Sequence, residues 1–237
     1  MANNYFRFKD FIIYHDRCAL KVNTTSCIFG AVASHPCPER ILDIGSGTGL
    51  LALMLAQRYP GSRVDAIEID RDSAGQAADN FRQSPWADRI HMQNLGLVEF
   101  AETIADPYDL VIANPPWFIN HQKSSDGKKN LARHDDQMLF AALPSFAEKL
   151  TSHNGVFYTI LPVGTAPAFI RNMKMTGFTC FHRVLIRSGK IERRLKLIMG
   201  FAGHSLEPLN SEIIIYGENG EFSPQYRELL RDFYLSF

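Results

Sequence analysis

Cysteine is scarce in this chain, and the few thiols stand apart. The four are Cys18, Cys27, Cys37 and Cys180, with no CxxC pair and no Cys/His group at zinc spacing. That excludes a disulfide-stapled module and a zinc ribbon, and isolated thiols fit a reducing compartment. Net charge is absent too: 25 Lys+Arg against 25 Asp+Glu leaves zero. A uniformly basic nucleic-acid coat is thereby excluded, whereas local basic patches are not. No apolar run approaches the roughly eighteen residues of a membrane span. The N-terminal MANNYFRFKD lacks the apolar centre of a signal peptide. Internal repeats and low-complexity segments are also missing. The expectation is a cytoplasmic monomer that binds neither metal nor membrane. Its 46% hydrophobic and 21% charged residues place it among ordinary globular proteins rather than disordered tails, fibres or coiled coils.

What is present is an alternation. Arg40–Ile44 (RILDI) is a short apolar run ending at glycines, and residues 49–57 (GLLALMLAQ) are helix formers. Residues 63–69 (RVDAIEI) predict a strand, 73–83 a helix and 89–93 a short strand. Tyr108–Ala113 (YDLVIA) is a buried strand stopped by Pro115 and Pro116. Residues 137–150 have helical periodicity, and 155–161 (GVFYTIL) form another buried strand. Strands alternating with helices indicate βαβ units. Strands that are apolar throughout belong to a parallel sheet covered on both faces. After Gly177 three strand candidates follow, at 178–186, 194–201 and 212–216; they are expected to be antiparallel at one sheet edge. Residues 223–237 predict a closing helix. Residues 1–39 show no clear period and are taken as an N-terminal extension or lid, with the main domain at 40–237.

The run LDIGSGTG (residues 42–49) carries a strand straight into Gly45, Gly47 and Gly49, with a helix following. Glycines at such a turn permit positive φ and close approach of the backbone to a ligand. The helix start offers free N–H donors. Asp43 precedes the first glycine, and Glu68 ends the next strand about twenty residues on, where a ribose diol would sit. The spacing is G-x-G-x-G, not G-x-G-x-x-G, which argues against a nicotinamide dinucleotide. No P-loop lysine is present, which argues against a nucleoside triphosphate. From Arg40 to about Leu161 the pattern resembles the class I S-adenosylmethionine-dependent methyltransferases. The resemblance implies a Rossmann-like fold: a seven-stranded, mostly parallel sheet with an antiparallel edge hairpin and helices on both faces. It implies the cofactor's amino-acid end at Gly45, Ser46, Gly47 and Gly49 beside Asp43, with Glu68 on the ribose hydroxyls and Ile69 following it. Asp70 is the weaker alternative for the ribose and reads better as a loop or cap residue.

Asn114-Pro115-Pro116-Trp117 follows YDLVIA directly, at the carboxyl end of a central strand, where open α/β sheets bind ligands. An exocyclic amine or a carboxamide nitrogen has its lone pair delocalised into the neighbouring π system, and methylation requires that pair to localise. Two acceptors aimed at the N–H bonds favour the change. The Asn114 side-chain oxygen and the Pro115 carbonyl are the candidates. The two prolines remove donors and fix φ, and Trp117 offers a ring for stacking. The motif resembles the (D/N)PP(Y/F/W) motif of amino-group methyltransferases. Adenine-N6, guanine-N2 and glutamine-N5 enzymes share it, so it sets reaction type and not substrate. A cofactor-binding protein without catalysis is the rival of another class, disfavoured because binding alone needs no acceptor-only turn.

Residues 8–31 (FKDFIIYHDRCALKVNTTSCIFGA), SPWADRI at 84–90, LLALMLAQ at 50–57 and the terminal FYLSF discriminate further. Together they resemble the tRNA (adenine-N6)-methyltransferase family that modifies the adenine beside the anticodon of a valine tRNA. The resemblance runs nearly end to end. It implies S-adenosylmethionine as cofactor, a flipped adenine near Asn114–Trp117, and Lys21 and Thr24 over the cofactor's methionine end. Three departures stand out. The family usually has Lys-Val-Gly-Thr-Asp-Gly where this chain has Lys21-Val22-Asn23-Thr24-Thr25-Ser26. An aspartate expected on the cofactor adenine falls at Gly96, leaving Asn94, with Leu95 beside it, as the nearby candidate. Trp117 replaces Tyr or Phe. Ribosomal RNA guanine-N2 and protein glutamine-N5 methylation remain the alternatives.

A tRNA partner requires phosphate neutralisation. Lys123, Lys128, Lys129 and Arg133 form one cationic cluster after the Asn-Pro-Pro motif. A second, around residues 183–196, includes Arg187, Lys190, Arg193 and Arg194. Arg17, near His15, is a further candidate. A solvated charged face is the plain alternative for each. His15 and His134 read as structural or surface histidines, and Asp135 and Asp136 as helix-start acids.

Overall fold

The computed structural model describes residues 3–18, 20–115, 141–189 and 195–236. The N-terminal segment folds as a small antiparallel hairpin, β1 (Tyr5–Arg7) and β2 (Ile12–Tyr14), followed by helix α1 (Thr24–Val32). Then come β3 (Arg40–Ile44), α2 (Leu50–Arg58), β4 (Arg63–Ile67), α3 (Arg71–Arg82), β5 (Ile90–Gln93), α4 (Leu97–Thr103) and β6 (Tyr108–Ala113). Residues 141–150 are helical, α5. The chain continues through β7 (Thr151–Pro162), α6 (Ala166–Met175), β8 (Thr179–Arg187), β9 (Lys196–Ala202), β10 (Leu209–Ile214) and α7 (Pro224–Leu230).

The main sheet has eight strands in the order β10-β8-β9-β7-β6-β3-β4-β5. Seven strands with an antiparallel edge hairpin were expected. The difference is β10, which runs parallel to β8, while β9 is antiparallel to both β7 and β8. Because β9 inserts between β7 and β8, the inner side of β8 is filled. The chain leaving β9 joins the sheet at the outer side of β8, running with β8.

Strand residues alternate between two cores, which is why they are apolar throughout. On β6, Leu110 and Ile112 face one core and Val111 and Ala113 the other. α1, α2, α3 and α7 cover the first face together with Phe8, Phe11 and Ile13 of the N-terminal segment. α4, α5 and α6 cover the second. The N-terminal residues therefore join the same core as the main domain. Asn80 of α3 fastens them there: its Oδ1 accepts from Tyr14 N–H at 3.0 Å, and its Nδ2 donates to the carbonyls of Tyr14 (2.9 Å) and Thr48 (2.8 Å).

From β3 the chain builds outward to β4 and β5 on one side, then crosses to β6 on the other. The reversal opens a crevice at the carboxyl ends of β3 and β6.

Candidate active site

Four neighbouring strands end at one level. Ile44 of β3 pairs with Ala113 of β6 and with Ile67 of β4, and Ile67 pairs with Gln93 of β5. The next residue on each strand is Asn114, Gly45, Glu68 or Asn94. With strands about 4.8 Å apart, these four positions form a row of roughly 15 Å along the crevice. Residues singled out by separate motifs thus share one edge.

The glycine loop is tied down from below. Gly45 and Ser46 N–H donate to the Ile67 carbonyl at 2.9 and 3.0 Å. Gly45, Gly47 and Gly49 have φ of +68°, +55° and +82°, a region unfavourable to side chains bearing Cβ. A Cβ at Gly45 or Gly47 would meet nothing within 4 Å, so that side of the loop is open; at Gly49 it would enter the Phe81 ring of α3. Gly49 is thus the residue of close helix packing at the start of α2, and Gly45 and Gly47 leave the outer side of the loop open.

Asp43 is 0% exposed, beneath the loop rather than open to a ligand. Ser46 Oγ donates to its Oδ2 at 2.6 Å. Burial pushes its carboxyl up to about 7, with Ser46, the Ala52 backbone N–H and the Glu68 charge as smaller influences. Glu68 is half-buried. Its Oε2 accepts from Gly47 N–H at 2.9 Å and its Oε1 from Asp70 N–H at 3.0 Å. A carboxylate offers about four lone-pair sites, so both oxygens retain capacity for a diol. Asp70 caps α3, accepting from Ser73 N–H at 2.8 Å. Asn94 Nδ2 donates to the carbonyls of Glu68 (2.8 Å) and Ile69 (3.1 Å), leaving its Oδ1 as acceptor. Gly96, at the place where the resembled family has an aspartate, is the N-cap of α4. Ile69 is 69% exposed, an apolar surface beside Asn94, while Leu95 packs into the second core.

Asn114 is half-buried and Pro115 buried. Asn114 Nδ2 donates to Ser26 Oγ of α1 at 3.1 Å, a partner that motif reading did not find. Only the fold brings these two residues, 88 positions apart, together. Lys21 is exposed. Thr24 is half-buried at the first turn of α1.

Among the cationic candidates, Arg17 forms an ion pair with Asp79 and bonds Gln76 Oε1, so it joins the N-terminal segment to α3. Arg187 forms an ion pair with Glu212 across β8 and β10. His15 is buried and its Nε2 contacts the Asn3 carbonyl at 2.9 Å. Pro116, Trp117, Lys123, Lys128, Lys129, Arg133, His134, Asp135, Asp136, Lys190, Arg193 and Arg194 lie outside the described residues.

Fold and site together define a Rossmann-like methyltransferase. The model of the methyltransferase small domain family matches residues 19–141. A tRNA1(Val) (adenine(37)-N6)-methyltransferase from Erwinia tasmaniensis is 36% identical over 98% of this chain and 95% of its own. Those of Bacteroides thetaiotaomicron and Trichodesmium erythraeum are 34% and 36% identical, covering 99% and 100% of both chains respectively. This chain belongs to that family of methyltransferases. Among solved structures, a protein of Agrobacterium tumefaciens described as a predicted O-methyltransferase aligns with TM-score 0.64 at 18% identity, over 87% of this chain and 95% of that one. A methyltransferase from Pyrococcus furiosus aligns with TM-score 0.59 at 17% identity, over 81% and 88%. These two show the fold.

Proposed function

We propose that this protein transfers a methyl group from S-adenosylmethionine to the N6 amine of an adenine in tRNA, the adenine beside the anticodon of a valine tRNA. The observation that carries the reading is the single row of strand ends, with an open glycine cradle and a ribose-ready carboxylate on one side and an oriented Asn114 amide on the other. The full-length relatives named for that reaction support the choice of substrate.

S-adenosylmethionine, when bound, supplies a methyl group on a sulfonium leaving group. The open face at Gly45 and Gly47 fits its amino-acid end, Glu68 its ribose hydroxyls, and Ile69 with Asn94 Oδ1 its adenine. Asn114 Oδ1 accepts one N–H of the target amine, and the Pro115 carbonyl accepts the other. With both bonds directed to acceptors, the nitrogen lone pair leaves the ring π system and can attack. No strong base is necessary at that moment, because the proton is lost only after nitrogen becomes cationic. Trp117 supplies the stacking surface for the flipped base. Preorganised acceptors in a fixed turn carry most of the rate. Lys123, Lys128, Lys129, Arg133, Lys190, Arg193 and Arg194 are the proposed phosphate contacts. Arg17 and Arg187 contribute through the ion pairs that shape the surface around them.

Purified tRNA, ribosomal RNA and a release factor, each incubated with labelled S-adenosylmethionine, separate this reading from its alternatives. Label entering tRNA alone is expected. Label entering ribosomal RNA or the release factor instead would assign guanine-N2 or glutamine-N5 methylation.

A further inference from the structure

The amide of Asn114 has two ends of nearly equal shape and opposite hydrogen-bonding sense. Only one orientation presents an oxygen to an amine that is itself a donor. The neighbouring bonds of α1 decide which end faces outward. Asn23 is the N-cap of α1, and its Oδ1 accepts from the backbone N–H of Ser26 at 3.0 Å. A backbone N–H is a donor under all conditions, so the atom facing it must be oxygen. The Asn23 amide is turned accordingly, with its Nδ2 donating to the Lys21 carbonyl at 3.3 Å. Ser26 Oγ, 3.2 Å from the same Asn23 Oδ1, donates its only proton there. What Ser26 has left is lone pairs. The atom of Asn114 facing them at 3.1 Å is the donor nitrogen, and Oδ1 faces away.

We infer that Asn23 and Ser26 are positioning residues for methyl transfer, forming a directed hydrogen-bond chain from the backbone of α1 that holds Asn114 with its oxygen toward the substrate amine. This rests on the reading of Asn114 as the acceptor. Both residues lie on the N-terminal segment, so docking of that segment and amide orientation are coupled. Neither residue need touch the base or the cofactor to act.

The test has two readouts on the full-length chain. The first needs no substrate. The Asn114 side-chain NH2 is identified in 15N-labelled protein by its loss in Asn114→Ala, and its exchange with solvent is measured. Ser26→Ala and Asn23→Ala are expected to speed that exchange at least fivefold. Asn23→Asp should leave it within about twofold, since a carboxylate accepts the same two bonds. The second readout is transfer to tRNA. Ser26→Ala and Asn23→Ala should lower kcat about five- to tenfold, the range of one lost hydrogen bond. The dissociation constant for S-adenosylmethionine should stay within twofold, and Asn23→Asp should retain near-parental kcat. Unchanged exchange in Ser26→Ala, or equal damage from Asn23→Asp and Asn23→Ala, overturns the inference. A parent that transfers nothing to tRNA, yet shows the exchange pattern, overturns the substrate reading and leaves the orienting chain standing.

Discussion

Gly47 and Gly49 sit two residues apart and both hold positive φ, but a side chain would meet different surroundings at each. Gly47→Ala would strain the backbone by about 1 kcal/mol and fill the cradle. It should weaken binding of S-adenosylmethionine, read by calorimetry, with little change in the denaturation midpoint. Gly49→Ala would force apart α2 and α3, and should shift the midpoint by an amount corresponding to roughly 2–4 kcal/mol. The row of strand ends implies a second division. Glu68→Ala should raise the dissociation constant for cofactor at least tenfold. Asn114→Ala should leave that constant nearly unchanged and lower kcat by about 10²–10³, the cost of removing one preorganised partner of a reacting group. Equal loss of cofactor affinity in both variants would contradict the division. The common level of these positions was legible in the sequence because glycine, acid and Asn-Pro-Pro each punctuate a strand end. Ser26 was not legible, since a serine in a small-residue helix carries no signal until the fold brings it to Asn114.

At the scale of elements, β3 to β7 were legible from runs of apolar residues, and α2 and α3 from helix formers. α1 was not, because five consecutive residues, Ser26 to Gly30, are buried, leaving no polar face to mark a period. α4 has seven residues, too few for a pattern, and the parallel entry of β10 depends on where β9 inserts. The attachment of β2 to α3 was equally invisible. It depends on Asn80, 1% exposed, whose amide satisfies three backbone groups. Asn80→Ala would remove the partner of all three, one of them buried and two half-buried. The expected cost is roughly 2–4 kcal/mol, measured by denaturant unfolding. A loss under 1 kcal/mol would mean that the N-terminal segment is held chiefly by Phe8, Phe11 and Ile13.

Stability of the whole molecule should carry the signature of Asp43. Its carboxyl is raised by burial to about 7, so the folded chain still holds a proton that the unfolded chain releases near pH 4. Stability on this account is present below about pH 4 and is lost as pH rises through 7. Asp43→Asn removes that component. The unfolding free energy of the ligand-free parent should fall relative to the variant by at most about 4 kcal/mol between pH 4 and pH 8. Groups common to both cancel in the difference. A parallel pair of pH profiles would show that Asp43 is ionised in the folded state throughout. The zero formal charge has its own consequence, since tRNA must then be held by local cations and not by the overall field.

The measurement that bears most directly on the central claim is nucleoside analysis of tRNA after incubation with S-adenosylmethionine and either the parent or Asn114→Ala. An N6-methyladenosine peak is expected with the parent and almost none with the variant, while both bind cofactor alike. Methyl groups recovered on guanine, or an undiminished adenine peak from Asn114→Ala, would contradict that claim.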